Sequence, residues 1–303
     1  MNPIHYDTVI VGGGPAGLAA AMALTRYRHR SLVVESPEPP RNAASQGMHG
    51  LIGLDGISPA DLRARTWKDL DAYGLATRAD TLAHDITRDE DGFTVTLADG
   101  TQARAGTVLL ATGMVDIHPD IDGFAACWGR TIIHCPFCVG EENADRAWAV
   151  MAAEPDFAPM VPDAFRAWTS DVVVLSPPDL EGASEIRNRL REQSSDLIQG
   201  EIARFVHRDG ELSAIEFTDG RTLERQTLLW HLPQRQVSLI TRLTETLGLA
   251  LDSGGLVTVD EHQKTNIAGL YAAGDLATTE QGAMNSAGAG AAAADAIHFA
   301  DFF

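Results

Sequence analysis

At 303 residues the chain is about twice the size of a typical domain, so two domains with ample cores are expected and a stapled mini-protein is excluded. Hydrophobic residues make up 45% and charged residues 21%, a globular balance that rules out a disordered or fibrous chain. The 42 acidic and 23 basic residues leave a formal charge of -19, which would repel a phosphate backbone or an anionic bilayer, so neither nucleic acid nor membrane is expected as a partner.

The opening residues read strand, Gly-rich turn, helix, strand: Tyr6 to Val11, Gly12 to Gly14, an apolar segment to about Tyr27, then Ser31 to Glu35. This is the start of a βαβ unit. The first strand begins so early that no room is left for an export signal, and a cytoplasmic protein is expected. Residues 41–60 read as loop, followed by a helix from Pro59 to about Tyr73 and strands at Gly92–Leu97 and Gly106–Ala111. A second α/β block then occupies residues 116–246. Its strands are expected near Ala147–Ala152, Asp171–Leu175, Ile202–His207, Leu212–Phe217 and Thr227–Trp230, and its helices near Ala158–Trp168 and Glu181–Gln193. A strand at Val257–Val259, the run Gly269–Asp275 and an Ala/Gly-rich helix from Gly282 to Phe299 return to the opening domain. That last helix is interrupted by Asp295 and falls short of the 18 or so apolar residues a membrane span needs. The fold class is α/β, with two dinucleotide-binding, Rossmann-like domains. The first is split over 1–115 and 247–303, and the second is inserted at 116–246.

Gly12, Gly14, Pro15, Ala16 and Gly17 fall in a G-x-G-x-x-G turn after a strand and at the head of a helix. There bare backbone lets a pyrophosphate approach the helix N-terminus. Glu35 ends the next strand, placed to accept hydrogen bonds from a ribose. The pattern marks a dinucleotide but leaves FAD and NAD open. Cys135-Pro136-Phe137-Cys138 has the spacing of a redox pair or of half a zinc site; no second Cys or Cys/His pair is present to complete a zinc site, and no metal is expected. The remaining thiol, Cys127, reads as a small buried apolar residue, and Trp128 and Phe137 read as core.

Two more segments decide the cofactor. Thr265 to Asp275, ending Ala273-Gly274-Asp275, and the triplet Ala111-Thr112-Gly113 resemble the second and middle signatures of two-dinucleotide flavoproteins. With the cysteine pair, the chain resembles the low-molecular-weight thioredoxin reductase family over nearly its whole length. The resemblance implies FAD, a homodimer, Gly274 and Asp275 on the ribityl and pyrophosphate part of the cofactor, and a helix opening at Gly282 and Ala283 whose N-terminus points at the flavin. It further implies that Cys138 faces the flavin and that Cys135 exchanges with substrate.

Two departures change the expected function. Where the family carries a second Gly-rich turn for NADPH, this chain has Glu154-Pro155-Asp156-Phe157, and where basic residues take the 2′-phosphate it has Ser176-Pro177-Pro178-Asp179. NADPH binding in the usual mode is therefore not expected. Arg41-Asn42-Ala43, His49-Gly50, Asp55-Gly56 and the run His134 to Cys138 are similar to the dithiol oxidases of the gliotoxin and holomycin type. That likeness implies a small-molecule dithiol substrate, O2 as acceptor and H2O2 as product, and adds Arg41, Asn42 and His49 to the cofactor site. The alternatives are a reductase fed by ferredoxin that serves thioredoxin, an NADPH-fed reductase, and a flavin redox sensor without turnover. The residue after the second cysteine is Val139, which moves no proton, so the acid/base must come from His134, Glu141, Glu142 or His49.

Overall fold

A computed structural model describes residues 4–45 and 47–300. Among these, residues 4–43, 50–116 and 234–300 form one compact unit, and residues 44–45, 47–49 and 117–233 form another. In chain order the first stretch contains β1 (Ile4–Val11), α1 (Pro15–Arg26), β2 (Ser31–Glu35), a 3-10 turn at Arg41–Ala44, α2 (Pro59–Tyr73), β3 (Ala76–Asp80), β4 (Ala83–Asp89), β5 (Gly92–Leu97), β6 (Gln102–Leu110) and β7 (Val115–Asp116). The inserted stretch contains α3 (Phe124–Cys127), β8 (Ile132–Ile133), α4 (Pro136–Val139), β9 (Trp148–Met151), α5 (Val161–Phe165), β10 (Val172–Ser176), α6 (Ala183–Glu192), β11 (Leu197–Gln199), β12 (Ile202–Arg208), β13 (Glu211–Phe217), β14 (Thr222–Glu224) and β15 (Thr227–Leu229). The return is made by β16 (Gln234–Arg235), α7 (Ser238–Thr246), β17 (Leu270–Ala272) and α8 (Ala283–His298).

The first unit is built on a sheet of order β3-β2-β1-β6-β5-β4. β6 is long enough to pair antiparallel with β5 in its first half and parallel with β17 in its second. Its central strands are apolar on both faces, as a covered parallel sheet requires. The two-residue period of a strand sends Val9, Val11, Val34 and Leu110 to one core and Ile10, Val33 and Leu109 to the other. Small residues of α1 and α8, among them Ala20, Ala21, Ala293 and Ala294, close the second face.

The second unit repeats the scheme with a parallel sheet of order β11-β10-β9-β15-β8 and an antiparallel meander β12-β13-β14. Here Trp148, Val150, Val174 and Leu229 share one core and Ala149, Val173, Leu175 and Leu228 the other.

Four expectations are corrected. The return to the first unit comes at residue 234, not 247: β16 pairs with β7, and α7 buries Leu239, Ile240 and Leu243 in the first unit's core. Val257–Val259 forms no strand, only a bridge between Val257 and Leu251. The helix expected over Ala158–Trp168 shrinks to a 3-10 turn at Ala158–Met160 and the five residues of α5, because Pro159 and Pro162 interrupt the amide ladder. Phe137, read as core, is 85% exposed.

Candidate functional site

In the first unit the turn between β1 and α1 is shaped by its glycines. Gly12 has φ +118°, and a Cβ there would overlap the Ala111 carbonyl; a Cβ on Gly17 would overlap the Gly12 carbonyl. Gly14 is the N-cap of α1 and Pro15 its first residue, with Ala16 buried behind them, and no side chain caps the helix. Gly282 likewise opens α8 ahead of Ala283 with no side-chain cap. The contrast is α2, whose N-cap Ser58 accepts from the Asp61 amide. Neither helix is capped by its own N-cap side chain, though at α8 the N-cap amide of Gly282 is taken by Asp275; the amides that remain are the condition for holding an anion or an electron-rich ring.

Three acceptors and two arginines, Arg63 and Arg41, complete this region. Glu35, at the end of β2, is 9% exposed; its Oε1 pairs with Arg63 Nε at 3.3 Å, while Oε2 is buried without a hydrogen-bond partner. Burial pushes its carboxyl above the usual range, against the opposing pull of Arg63 and Arg78. Thr112 Oγ1, between Ala111 and Gly113, is also buried without a partner. Asp275 follows Gly274; its Oδ1 accepts from Ser286 Oγ (2.9 Å) and the Gly282 amide (3.3 Å), and its Oδ2 from Arg41 Nη1 (3.2 Å). Arg41 further holds Asp116 through two bonds, at 2.6 and 3.1 Å, and Gln281 at 2.6 Å. Its guanidinium is therefore largely committed to protein oxygens. Asn42 is half-buried in the same 3-10 turn. His49 belongs to the second unit, where its Nε2 lies 3.2 Å from Glu142 Oε1.

The sulfur couple lies at the carboxyl edge of the second unit's parallel sheet. β8 ends at Ile133, His134 follows, and Cys135 caps α4; Cys135 and Cys138 are joined as a disulfide with Cα atoms 5.4 Å apart. Cys135 is half-buried and Cys138 exposed. The neighbouring β15 pairs Leu229 with Ile133, so the residues just beyond each strand emerge side by side. As a result His134 and His231 stack with ring centroids 4.6 Å apart, and Trp128 meets His134 edge-on at 6.3 Å. Asn143, 2% exposed, fixes the turn to the sheet. Its Nδ2 donates to Val139 O (3.0 Å) and Arg130 O (3.1 Å), its Oδ1 accepts from Thr227, and its carbonyl accepts from Trp148 Nε1. Cys127 is fully buried, and burial raises its thiol pKa, which leaves it inert.

His231 and Asn143 went unmarked in the sequence. A His beyond an expected strand carries no signal until the strand order sets β15 against β8. Asn143 looks like an ordinary turn residue until its burial is seen.

The same edge also carries the segment where a second Gly-rich turn is missing from the sequence. After β9 the amides of Phe157 and Ala158 both donate to the Glu154 carbonyl, at 3.2 and 3.1 Å. Gln199 Nε2 ties down the loop after β10 through the Pro178 carbonyl at 3.0 Å.

The sequence profile of the family described as pyridine nucleotide-disulphide oxidoreductase matches residues 6–135 and 173–294, passing over the segment between. Thioredoxin reductase tcpT of Claviceps purpurea (strain 20.1) is 31% identical over 280 residues, 89% of this chain and 86% of that protein. Thioredoxin reductase aclD of Aspergillus oryzae (strain ATCC 42149 / RIB 40) is 30% identical over 298 residues, 95% of this chain and 94% of that protein. Among solved structures, HlmI superposes with a TM-score of 0.87 at 31% identity, covering 99% of this chain and 93% of the other.

Proposed function

The chain belongs to the pyridine nucleotide-disulphide oxidoreductase family, and on that footing we propose that it is an FAD-dependent dithiol oxidase, closing a disulfide in a small-molecule dithiol with O2 as acceptor and H2O2 as product. It is a thioredoxin reductase-like disulfide oxidoreductase, and its cofactor is FAD, as in the flavoproteins of that family. The residues of the first unit fit that group. The N-termini of α1 and α8, neither closed by an N-cap side chain, suit the pyrophosphate and the flavin, and the partnerless Glu35 Oε2 suits ribose hydroxyls.

The observation that carries the reading is the β9–α5 crossover. Two of its amides are taken by the Glu154 carbonyl, its helix is five residues long and it carries no Gly-rich turn, which speaks against a pyridine nucleotide there, while the Cys135–Cys138 couple is intact. Electrons then enter through sulfur. A substrate thiolate attacks Cys135 Sγ, the Cys135–Cys138 bond breaks, and Cys138 leaves as thiolate. The second substrate thiolate attacks the substrate sulfur of the mixed disulfide, expelling Cys135 as thiolate and releasing the product disulfide. Two electrons and two protons have left the substrate. His134, adjacent to Cys135 and stacked on His231, takes a thiol proton that Val139 cannot accept. Bound FAD supplies the remaining chemistry, accepting the electron pair of the reduced couple and delivering it to O2.

The exposed Cys138 and the 85% exposed Phe137 beside it favour a second reading, a reductase that meets thioredoxin at this surface and is fed by ferredoxin. Anaerobic titration separates the two. The oxidase is bleached by a small dithiol alone and recolours in air with one H2O2 per dithiol. Failure of every small dithiol to bleach it, with reduction by ferredoxin and onward transfer to thioredoxin, would establish the second reading instead.

A further inference from the structure

In the first unit, Glu35 has an unusual balance of surroundings. One carboxylate oxygen is paired and the other is buried with nothing to accept from. The backbone of Gly13 lies so close that a Cβ there would overlap the carboxylate, so the group packs directly against the turn that opens α1.

The charged groups facing it come from two elements: Arg63 from α2, and Arg78 and Asp80 from β3. Asp80 opposes ionisation. Arg78 is already engaged, with Nε on Asp80 at 2.5 Å and its guanidinium over the Trp67 ring at 5.7 Å. That leaves Arg63 as the cation in direct contact, and its delivery is built into α2. Positions 63, 67 and 70 share one helix face; Trp67 and Leu70 are buried in the core and Ser58 caps the helix start. Arg63 Nε is thereby carried to Glu35 Oε1 at 3.3 Å.

We propose that Arg63 is a positioning residue of the cofactor site: it holds the Glu35 carboxylate ionised and turned so that Oε2 accepts the hydroxyls of the FAD adenosine ribose. The proposal rests on FAD occupying the Gly12–Gly17 turn and is independent of what the cysteine pair oxidises. A carboxylate accepts from two hydroxyls, whereas a protonated carboxyl offers a donor where an acceptor is required. Because burial favours the protonated form, removing the cation hands the balance to burial, and the loss is greatest at the acid end.

The test measures FAD binding to apo-protein by quenching of flavin fluorescence between pH 5 and 9, with no turnover involved. The wild type should bind with constant affinity at alkaline pH and weaken on acidification. Arg63→Gln should move that weakening to higher pH, so that on the acid side FAD binds about tenfold less tightly, a charge-assisted contact's worth. Arg63→Lys should restore much of the profile. Glu35→Gln should bind weakly at every pH, and Arg63→Gln added to it should change nothing further. An Arg63→Gln defect equal at all pH values would overturn the proposal, as would additivity with Glu35→Gln or an acid-sensitive profile that persists in Glu35→Gln.

Discussion

The two units share an architecture and treat the end of their first crossover strand in opposite ways. After β1 the chain spends glycines to leave amides bare and starts a twelve-residue helix that nothing caps. After β9 two amides turn back onto the Glu154 carbonyl and only five helical residues follow in α5. The carboxyl edge of a parallel sheet is where such folds bind ligands. In the second unit that edge carries His134, Cys135 and His231. The lesson is that a strand edge is a general platform, and that the local fate of a few amide groups decides what it presents. The family profile reflects the same split, since it passes over the stretch that holds α4, β9 and α5.

The sharpest way to break this contrast is at sulfur. Cys138→Ser should lower dithiol oxidation on the order of 10³-fold or more, since no disulfide is left to attack, while FAD content stays unchanged; peroxide release and the flavin spectrum read both. A pair of matched substitutions comes next. Gly17→Val forces a side chain into the Gly12 carbonyl and should cost on the order of 3 kcal/mol, giving a protein depleted of FAD. Ala153→Val, in an exposed turn that already carries side chains, should leave FAD content and oxidation as they were. Equal damage from both would mean that the second turn is also a cradle. The same comparison is probed directly by NADPH, which should leave the flavin oxidised; rapid bleaching would break it.

How much of this was legible in the sequence follows from what each feature depends on. The βαβ opening, Glu35 and the cysteine pair are local patterns, and local patterns survive in one dimension. The strands Ala76–Asp80 and Ala83–Asp89 were not visible, because ATRAD and AHDITRD are polar edge sequences held by pairing with β2 and β5. The boundary at 234 was missed because α7 declares its allegiance only through what Leu239, Ile240 and Leu243 touch. His231 depends on strand order, which no periodicity encodes. Placing His49 in the second unit depends on the packing of a short loop. A smaller functional effect follows from the strand order: His231→Ala should slow oxidation about 10–100-fold and alter its pH profile, because the imidazole stacked on His134 is lost. A uniform loss with an unchanged pH profile would assign His231 to packing alone.

The smallest expected effect separates the units by acid. At the far ends of α1 and α8, His29 Nε2 and His298 Nδ1 share a hydrogen bond of 3.0 Å. Such a bond needs one donor and one acceptor, so it survives with at most one extra proton on the pair. Burial holds His29 below its ordinary 6.5, with the neighbouring His298 adding to the effect and Asp7 opposing it. Between that lowered value and 6.5 the unfolded chain binds more protons than the folded one. The stability contribution is therefore complete above 6.5 and drains away as the pH falls toward the folded value. His29→Gln, whose amide can still donate to His298 Nδ1, should remove this slope and make unfolding of FAD-loaded protein less sensitive to acidification by about 1–2 °C in Tm. If the substitution leaves the acid slope intact, the sensitivity belongs to other groups, and the far ends of these two helices set nothing.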